Sequence, residues 1–240
     1  MEAKAVDLLL QYGLTRQEAK IYLLLITDGP LSGYEAAKRS GISRSNTYAS
    51  LSILVEKGAA YIIEEQTVQY QAVSIEEFCQ NHIYHMQQAA KELKELLPVN
   101  KNRPENYITI RSRRNVEDKI RQMLGQVEKR VYLSVSSKIL DLYKEDLQEL
   151  VAEGKKVVLI TDVDYDLEGA TLYHTPDIDM QIRLITDSEK ALTGEMADRW
   201  QMTCLYSENP NLVKLLKEAL ANEIKLIQIK ATQDMYSKKP

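Results

Sequence analysis

Cysteine is nearly absent from this chain. Cys79 and Cys204 are the only two in 240 residues, too few and too far apart for a disulfide framework, and no C-x-x-C pair offers a zinc site. They read as buried thiols. Histidine is limited to His82, His85 and His174. No apolar run approaches the roughly 20 residues of a membrane-spanning helix: Ala59 to Ile63 and Val157 to Ile160 are far shorter. A secretory start is missing too, since residues 1–12 carry Glu2, Lys4 and Asp7 within an amphipathic pattern, and the expected location is cytoplasmic. Positive charge is not in excess. The formal net charge is −4, so any recognition of a polyanion must rest on local placement. With 44% hydrophobic and 28% charged residues, the composition is that of a globular chain with room for two modest domains.

Two acidic constellations also fall short of a metal site. Asp162, Asp164, Asp166 and Glu168 imitate the opening of a calcium loop, but Leu167 and Tyr173 stand where an EF-hand needs glycine and glutamate. A solvated loop after a strand is the simpler account, and such a loop can line an effector pocket. His174 with Asp177 and Asp179 is too loosely spaced and too near Pro176 to hold a cation. Trp200, the sole tryptophan, can stack on a sugar but is more often core or interface material. No metal and no cofactor is expected.

What is present concentrates between Gly41 and Gly58. Gly41 suits the positive φ of a tight inter-helix turn, and Ser43 is placed to cap a helix by accepting from the Ser45 or Asn46 N–H. In that helix Tyr48, Leu51, Leu54 and Val55 recur at core-facing spacing, leaving Arg44, Ser45, Asn46, Ala49 and Ser52 on the open side. Arginine reaches guanine edges or phosphates, asparagine pairs with adenine, and small residues let the backbone approach. An ordinary amphipathic surface helix would show the same spacing, so the neighbours decide.

Upstream, Thr15 and Glu18 form a capping box ahead of a helix that stops at Asp28-Gly29-Pro30, and Ser32 with Glu35 repeats the box ahead of a short helix closing at Ser40-Gly41. Downstream, two β-rich runs flank Glu64, Glu65 and Gln66, the pattern of a wing hairpin without an Asn-Gly or Asp-Gly turn. Three helices and a hairpin make a winged helix-turn-helix over residues 1–74. The DNA-facing candidates are Lys38, Arg39, Ser43, Arg44, Ser45, Asn46, Thr47 and Tyr48. Lys57 adds charge, but Glu35, Glu56, Glu64 and Glu65 oppose it, which predicts weak affinity for random DNA.

From 75 to 98 a helix carries Ile75, Cys79, His82, Met86, Ala89, Leu93 and Leu96 at alternating four-three spacing, the seam expected of a homodimer. Ile83, Ala90 and Leu97 widen the stripe. Pro98 ends it, and Val99 to Asn106 reads as a linker. Over residues 105–240 strands alternate with helices. Strands are expected in Glu105–Ser112, Arg130–Ser136, Lys155–Asp162, Gln181–Asp187 and Trp200–Ser207, helices in Asn115–Glu128, Lys138–Gly154 and Pro210–Lys230, and a short run in Lys190–Gly194. The βαβ order implies parallel strands within a mixed sheet. The fold class is therefore α+β in two domains.

Residues 13–80 resemble the DNA-binding domain of the TrmB-type transcriptional regulators. The resemblance rests on GLTRQEAKIYLLL (Gly13 to Leu25), Arg44, Ser45, Tyr48 and Leu51 of the recognition helix, Glu56-Lys57-Gly58, and Tyr70 to Val73. Ser43 stands where the family often has proline. The phrases Glu153–Ile160, Ile185–Gly194 and Ser207–Leu216 are similar to the phospholipase-D-like domain that follows in such regulators. Active phospholipase D relatives carry H-x-K-x4-D, and here Ser188 stands two before Lys190, so no catalytic residue is expected. The resemblance implies a dimeric, sequence-specific regulator binding double-stranded DNA, with a second domain that senses a small molecule, often a sugar. Its rivals are a DNA-targeted phosphodiesterase, disfavoured by the missing histidine, and a DNA-organising module without effector control.

Overall fold

In a computed structural model the chain divides into two compact units, Met1–Asn100 and Lys101–Pro240. The structure describes residues 2–64, 66–97, 107–176, 178, 180–195 and 202–237. Glu65, Pro98, the linker to Asn106, Asp177, Asp179 and Trp200 lie outside the described residues.

In the first unit α1 (Glu2–Gln11) buries Val6 and Leu9, and α2 (Arg16–Asp28) follows. The expected capping box is made in full: Glu18 N donates to Thr15 Oγ1 at 3.3 Å, and Thr15 N donates to Glu18 Oε2 at 2.9 Å. A two-residue strand, β1 (Leu31–Ser32), leads into α3 (Gly33–Ser40), which opens on the second box between Ser32 and Glu35. Gly41 takes φ 69° and turns the chain into α4 (Arg44–Glu56), capped by Ser43 Oγ accepting from Asn46 N at 3.4 Å. The wing is β2 (Ala60–Glu64) paired antiparallel with β3 (Val68–Ala72), and β1 joins the free side of β3. The β1 strand is too short to leave a sequence period. Finally α5 (Ile75–Leu96) starts from Ser74, whose Oγ accepts from Glu77 N.

One core joins these pieces. Ile21, Tyr22, Leu25, Ala36, Leu51, Leu54 and Phe78 are all buried within it. Phe78, the only phenylalanine in the chain, pins α5 to the winged domain between Tyr22 and Tyr12, with ring centroids at 5.6 and 6.1 Å. The Tyr22 hydroxyl donates to Val73 O at 2.9 Å, and burial pushes its pKa up to about 12.

The second unit comprises β4 (Ile108–Arg111), α6 (Arg113–Leu124), β5 (Arg130–Ser134), α7 (Ser137–Leu140), α8 (Lys144–Ala152), β6 (Lys156–Thr161), β7 (Thr171–His174), β8 (Gln181–Thr186), β9 (Lys190–Glu195), β10 (Thr203–Ser207) and α9 (Pro210–Ser237). Seven strands form one sheet in the order β4-β10-β9-β8-β5-β6-β7. On one face Val116, Ile120, Leu124, Tyr143 and Leu147 pack against Leu133, Leu159 and Leu184. On the other Val213 and Leu220 of α9 cover Ile160, Ile185 and Ala191. Alternate residues of one strand serve opposite layers, as the pleat requires.

The parallel order implied by the βαβ pattern is confined to β5, β6 and β7; the other neighbours are antiparallel. Three residues join β8 to β9, far fewer than a parallel crossover needs. The helix expected over Lys138–Gly154 is broken by a 3₁₀ turn at Asp141–Tyr143, and β7 and full-length β9 appear where the sequence showed a loop and a short run.

Candidate nucleic-acid interface

The exposed side of α4 opens most widely at its amino-terminal half and continues along the helix through Ser52, Ile53 and Glu56. Arg44, Ser45, Asn46, Tyr48, Ala49 and Ser52 are exposed, whereas Thr47, Ser50, Leu51 and Leu54 are buried. Two sequence expectations change as a result. Thr47, expected among the DNA-facing residues, is fully buried, and its Oγ1 donates back to Ser43 O at 3.0 Å. It braces the first turn and does not reach outward. Tyr48, placed by its spacing among the core residues, instead lies half exposed on the surface. Its ring crosses Gly33 so closely that a Cβ there would overlap Cε1 and Cζ. An apolar period cannot reveal that a neighbouring helix offers a glycine shelf and not a hole.

Arg44 is positioned by Tyr34, a residue of α3. Its guanidinium carbon stands 4.6 Å from the Tyr34 ring centroid, and Tyr34 is itself half exposed on α3. The stack restrains a long side chain while leaving its donors free outward. Ser43 is exposed but its hydroxyl is occupied in the cap. Lys38 is exposed at the end of α3, and Arg39 next to it is held by Asp28 in a 2.7 Å ion pair. Between α3 and the wing an open groove is lined by Tyr34, Glu35, Lys38, Arg39, Thr67 and Gln69.

Lys57 does not belong to the basic footprint. Its Nζ donates at 2.7 Å to both Gly13 O and Glu18 Oε2, tying the end of α4 to the start of α2. Burial alone would raise the Glu18 carboxyl, but Lys57 and Thr15 outweigh it and hold the group below its ordinary range. Glu35 is likewise held low by the Ser32 N–H and hydroxyl, so both box carboxylates are spent within the fold.

Along α5 the predicted seam divides. Cys79 and His82 are partly covered within their own unit, where the His82 ring lies 5.3 Å from Tyr12 and 6.2 Å from Phe78. These two positions of the stripe therefore face their own unit. Ile75, Met86, Ala89, Leu93 and Leu96 remain exposed, with Leu96 at 77%.

Residues 8–76 match the family model described as the sugar-specific transcriptional regulator TrmB. The amino-terminal unit is a TrmB-family domain. Among curated proteins, YrhO of Bacillus subtilis (strain 168), itself uncharacterised, is 31% identical over 173 residues, or 69% of this chain and 60% of YrhO. The chain thus spans less than two thirds of that relative. Among solved structures, the archaeal chromatin protein TrmBL2 aligns over 92% of this chain and 97% of its own at 21% identity and a TM-score of 0.44. Nuc of Salmonella typhimurium, a phospholipase D family member, aligns over 49% of this chain and 92% of its own at 12% identity and a TM-score of 0.39. Within the TrmB-family domain, the exposed half of α4 is the helix that follows the Gly41 turn.

The second unit fills its own strand-end sites. Asp162, at the end of β6, accepts from Ser137 N at 2.7 Å and from Thr161 Oγ1, and the Ser137 bond holds its carboxyl below the usual range. His174 Nε2 lies 2.9 Å from Asp162 O. Lys190 donates to Gln126 Oε1 at 2.9 Å, at the start of β9. Asp187, at φ 52°, accepts from the N–H groups of Glu128, Lys129 and Arg130 at 2.8 to 2.9 Å. Among the described residues no three His, Cys, Asp or Glu side chains converge to hold a metal, and no helix is long and apolar enough to cross a membrane.

Proposed function

We propose that this protein is a sequence-specific transcription regulator that binds double-stranded DNA as a homodimer. The observation that carries the reading is the exposed amino-terminal half of α4, where Arg44, Ser45 and Asn46 stand clear beside Tyr48 and Lys38 on one surface. Small side chains let that helix enter a major groove roughly 12 Å wide, and the Tyr34 stack preorganises Arg44 for a base edge or phosphate. Pairing through the open half of α5, from Met86 to Leu96, would present two such helices to half-sites about 34 Å apart.

In this reading the second unit controls or assembles and does not catalyse. The engagement of His174 with Asp162 O, and of Lys190 with Gln126, supports a non-enzymatic role. An effector would act by preferring one arrangement of the paired chains, since only differential affinity shifts such an equilibrium. The test is binding by fluorescence anisotropy to a site selected from genomic DNA. Arg44→Ala is expected to weaken it by about 1 to 3 kcal/mol, and unchanged affinity would remove Arg44 from the interface.

A further inference from the structure

The closing helix α9 has two apolar rows, and the sheet uses only one. Val213, Leu216, Leu220, Ile224 and Ile227 lie against the strands. A second row, rotated from the first by about a third of a turn, runs Leu212, Leu215, Ala219, Asn222, Leu226 and Ile229, at spacings of three, four, three, four and three. Leu215, Leu226 and Ile229 in it are 62, 59 and 53% exposed. Such a seven-residue repeat marks a helix-helix seam.

We propose that this row is a self-association surface whose occupant is α9 of a second copy, packed antiparallel. The flanking charges select that arrangement. In a parallel pair Glu218 would meet the partner's Glu223, and Lys225 the partner's Lys230, so both contacts repel. In an antiparallel pair the register that sets Leu215 on the partner's Leu226 also sets Glu218 beside the partner's Lys225, and two-fold symmetry repeats both contacts. Leu212 then meets the partner's Ile229, and Ala219 the partner's Asn222. Sliding by one heptad in either direction brings Glu218 against the partner's Glu218 or Lys225 against the partner's Lys225. The leucine layers and the charges thus agree on one register. Glu218 is available for it, held only by an exposed 3.9 Å contact with Lys214, whereas Glu223 is committed to Arg183 at 2.7 Å.

This surface is independent of α5, and its test reads α9 alone. In the full chain carrying Cys79→Ser, the pair Leu215→Cys and Leu226→Cys should oxidise to a covalent dimer on a non-reducing gel, while each single change should not. Eleven residues along one helix, about 16 Å, separate the two positions, so they cannot bridge within a chain. Glu218→Lys should cut the cross-linked fraction several-fold, and adding Lys225→Glu should restore it. Cross-linking by Leu226→Cys alone would show a parallel pair and overturn the proposal. So would no cross-link in the double variant with a native circular dichroism spectrum, or indifference to the charge changes. The α5 pairing is read separately, by loss of DNA affinity on Met86→Glu and Leu93→Glu, so either surface can fail without the other.

Discussion

At the scale of single residues, the proposed interface would depend on how neighbours hold Arg44 and Tyr48. Removing the ring beneath Arg44 with Tyr34→Ala leaves the charge in place but frees the side chain, and should weaken specific binding by about 0.5 to 1 kcal/mol, less than removal of Arg44 itself. Gly33→Ala is a sharper probe. The added methyl displaces the Tyr48 ring, whose exposed end can swing aside, so the fold should survive with an unchanged melting temperature to within a few degrees while DNA affinity falls. An affinity equal to wild type would show that Tyr48 plays no part. Glu18 belongs to the scaffold. Glu18→Gln removes the charged acceptor of Lys57 and should destabilise the winged domain by about 2 kcal/mol in a urea titration. The pH dependence follows from the direction of the shift. The folded pKa lies below the ordinary 4.5, so the stabilisation is complete above that value and is lost as the pH falls through the folded one. Glu18→Gln should therefore flatten the acid limb of the stability profile.

At the scale of elements, much of the winged domain was legible because its signals are local. Thr15 with Glu18, Ser32 with Glu35, and Gly41 with Ser43 each fix a helix end through atoms three residues apart or less, and all three form as their spacing implies. What stayed hidden depends on distant partners. Thr47, expected to face outward, bonds back to the turn, while Tyr48, whose spacing also fitted the core, finds Gly33 on another helix and stays at the surface. Phe78 was passed over within a stripe of seam residues, yet it alone among α5 side chains is fully buried. In the second unit the βαβ pattern correctly gave β5 and β6, but nothing local marks β8 to β10 as antiparallel. The turn between β8 and β9 uses Asp187 and Ser188 at positive φ in place of glycine, with Asp187 bound to three N–H groups from before β5. Gly194 is the element-scale vulnerability. A Cβ there would overlap Thr203 O and Cys204 on the paired strand, so Gly194→Ala should lose about 2 to 3 kcal/mol of stability in the second unit and leave the winged domain folded.

At the scale of the whole molecule, the proposed regulator, at net charge −4, would have to bind DNA through few cations. With Lys57 bound to Glu18 and Arg39 to Asp28, Lys38 and Arg44 would be the main phosphate-reaching groups of each copy in the proposed dimer. A dimer would then make about four such contacts, and log K should fall against log salt with a slope of about −4, shallower than for strongly basic repressors. Binding should accordingly be weak on arbitrary sequence and dependent on pairing. The most direct measurement is selection of bound fragments from total genomic DNA at physiological salt. One recurring two-fold motif is expected, with half-sites about one helical turn apart, lost when Arg44 and Asn46 are both replaced by Ala. Recovery of fragments sharing no motif, or the same motif from the doubly substituted protein, would contradict it.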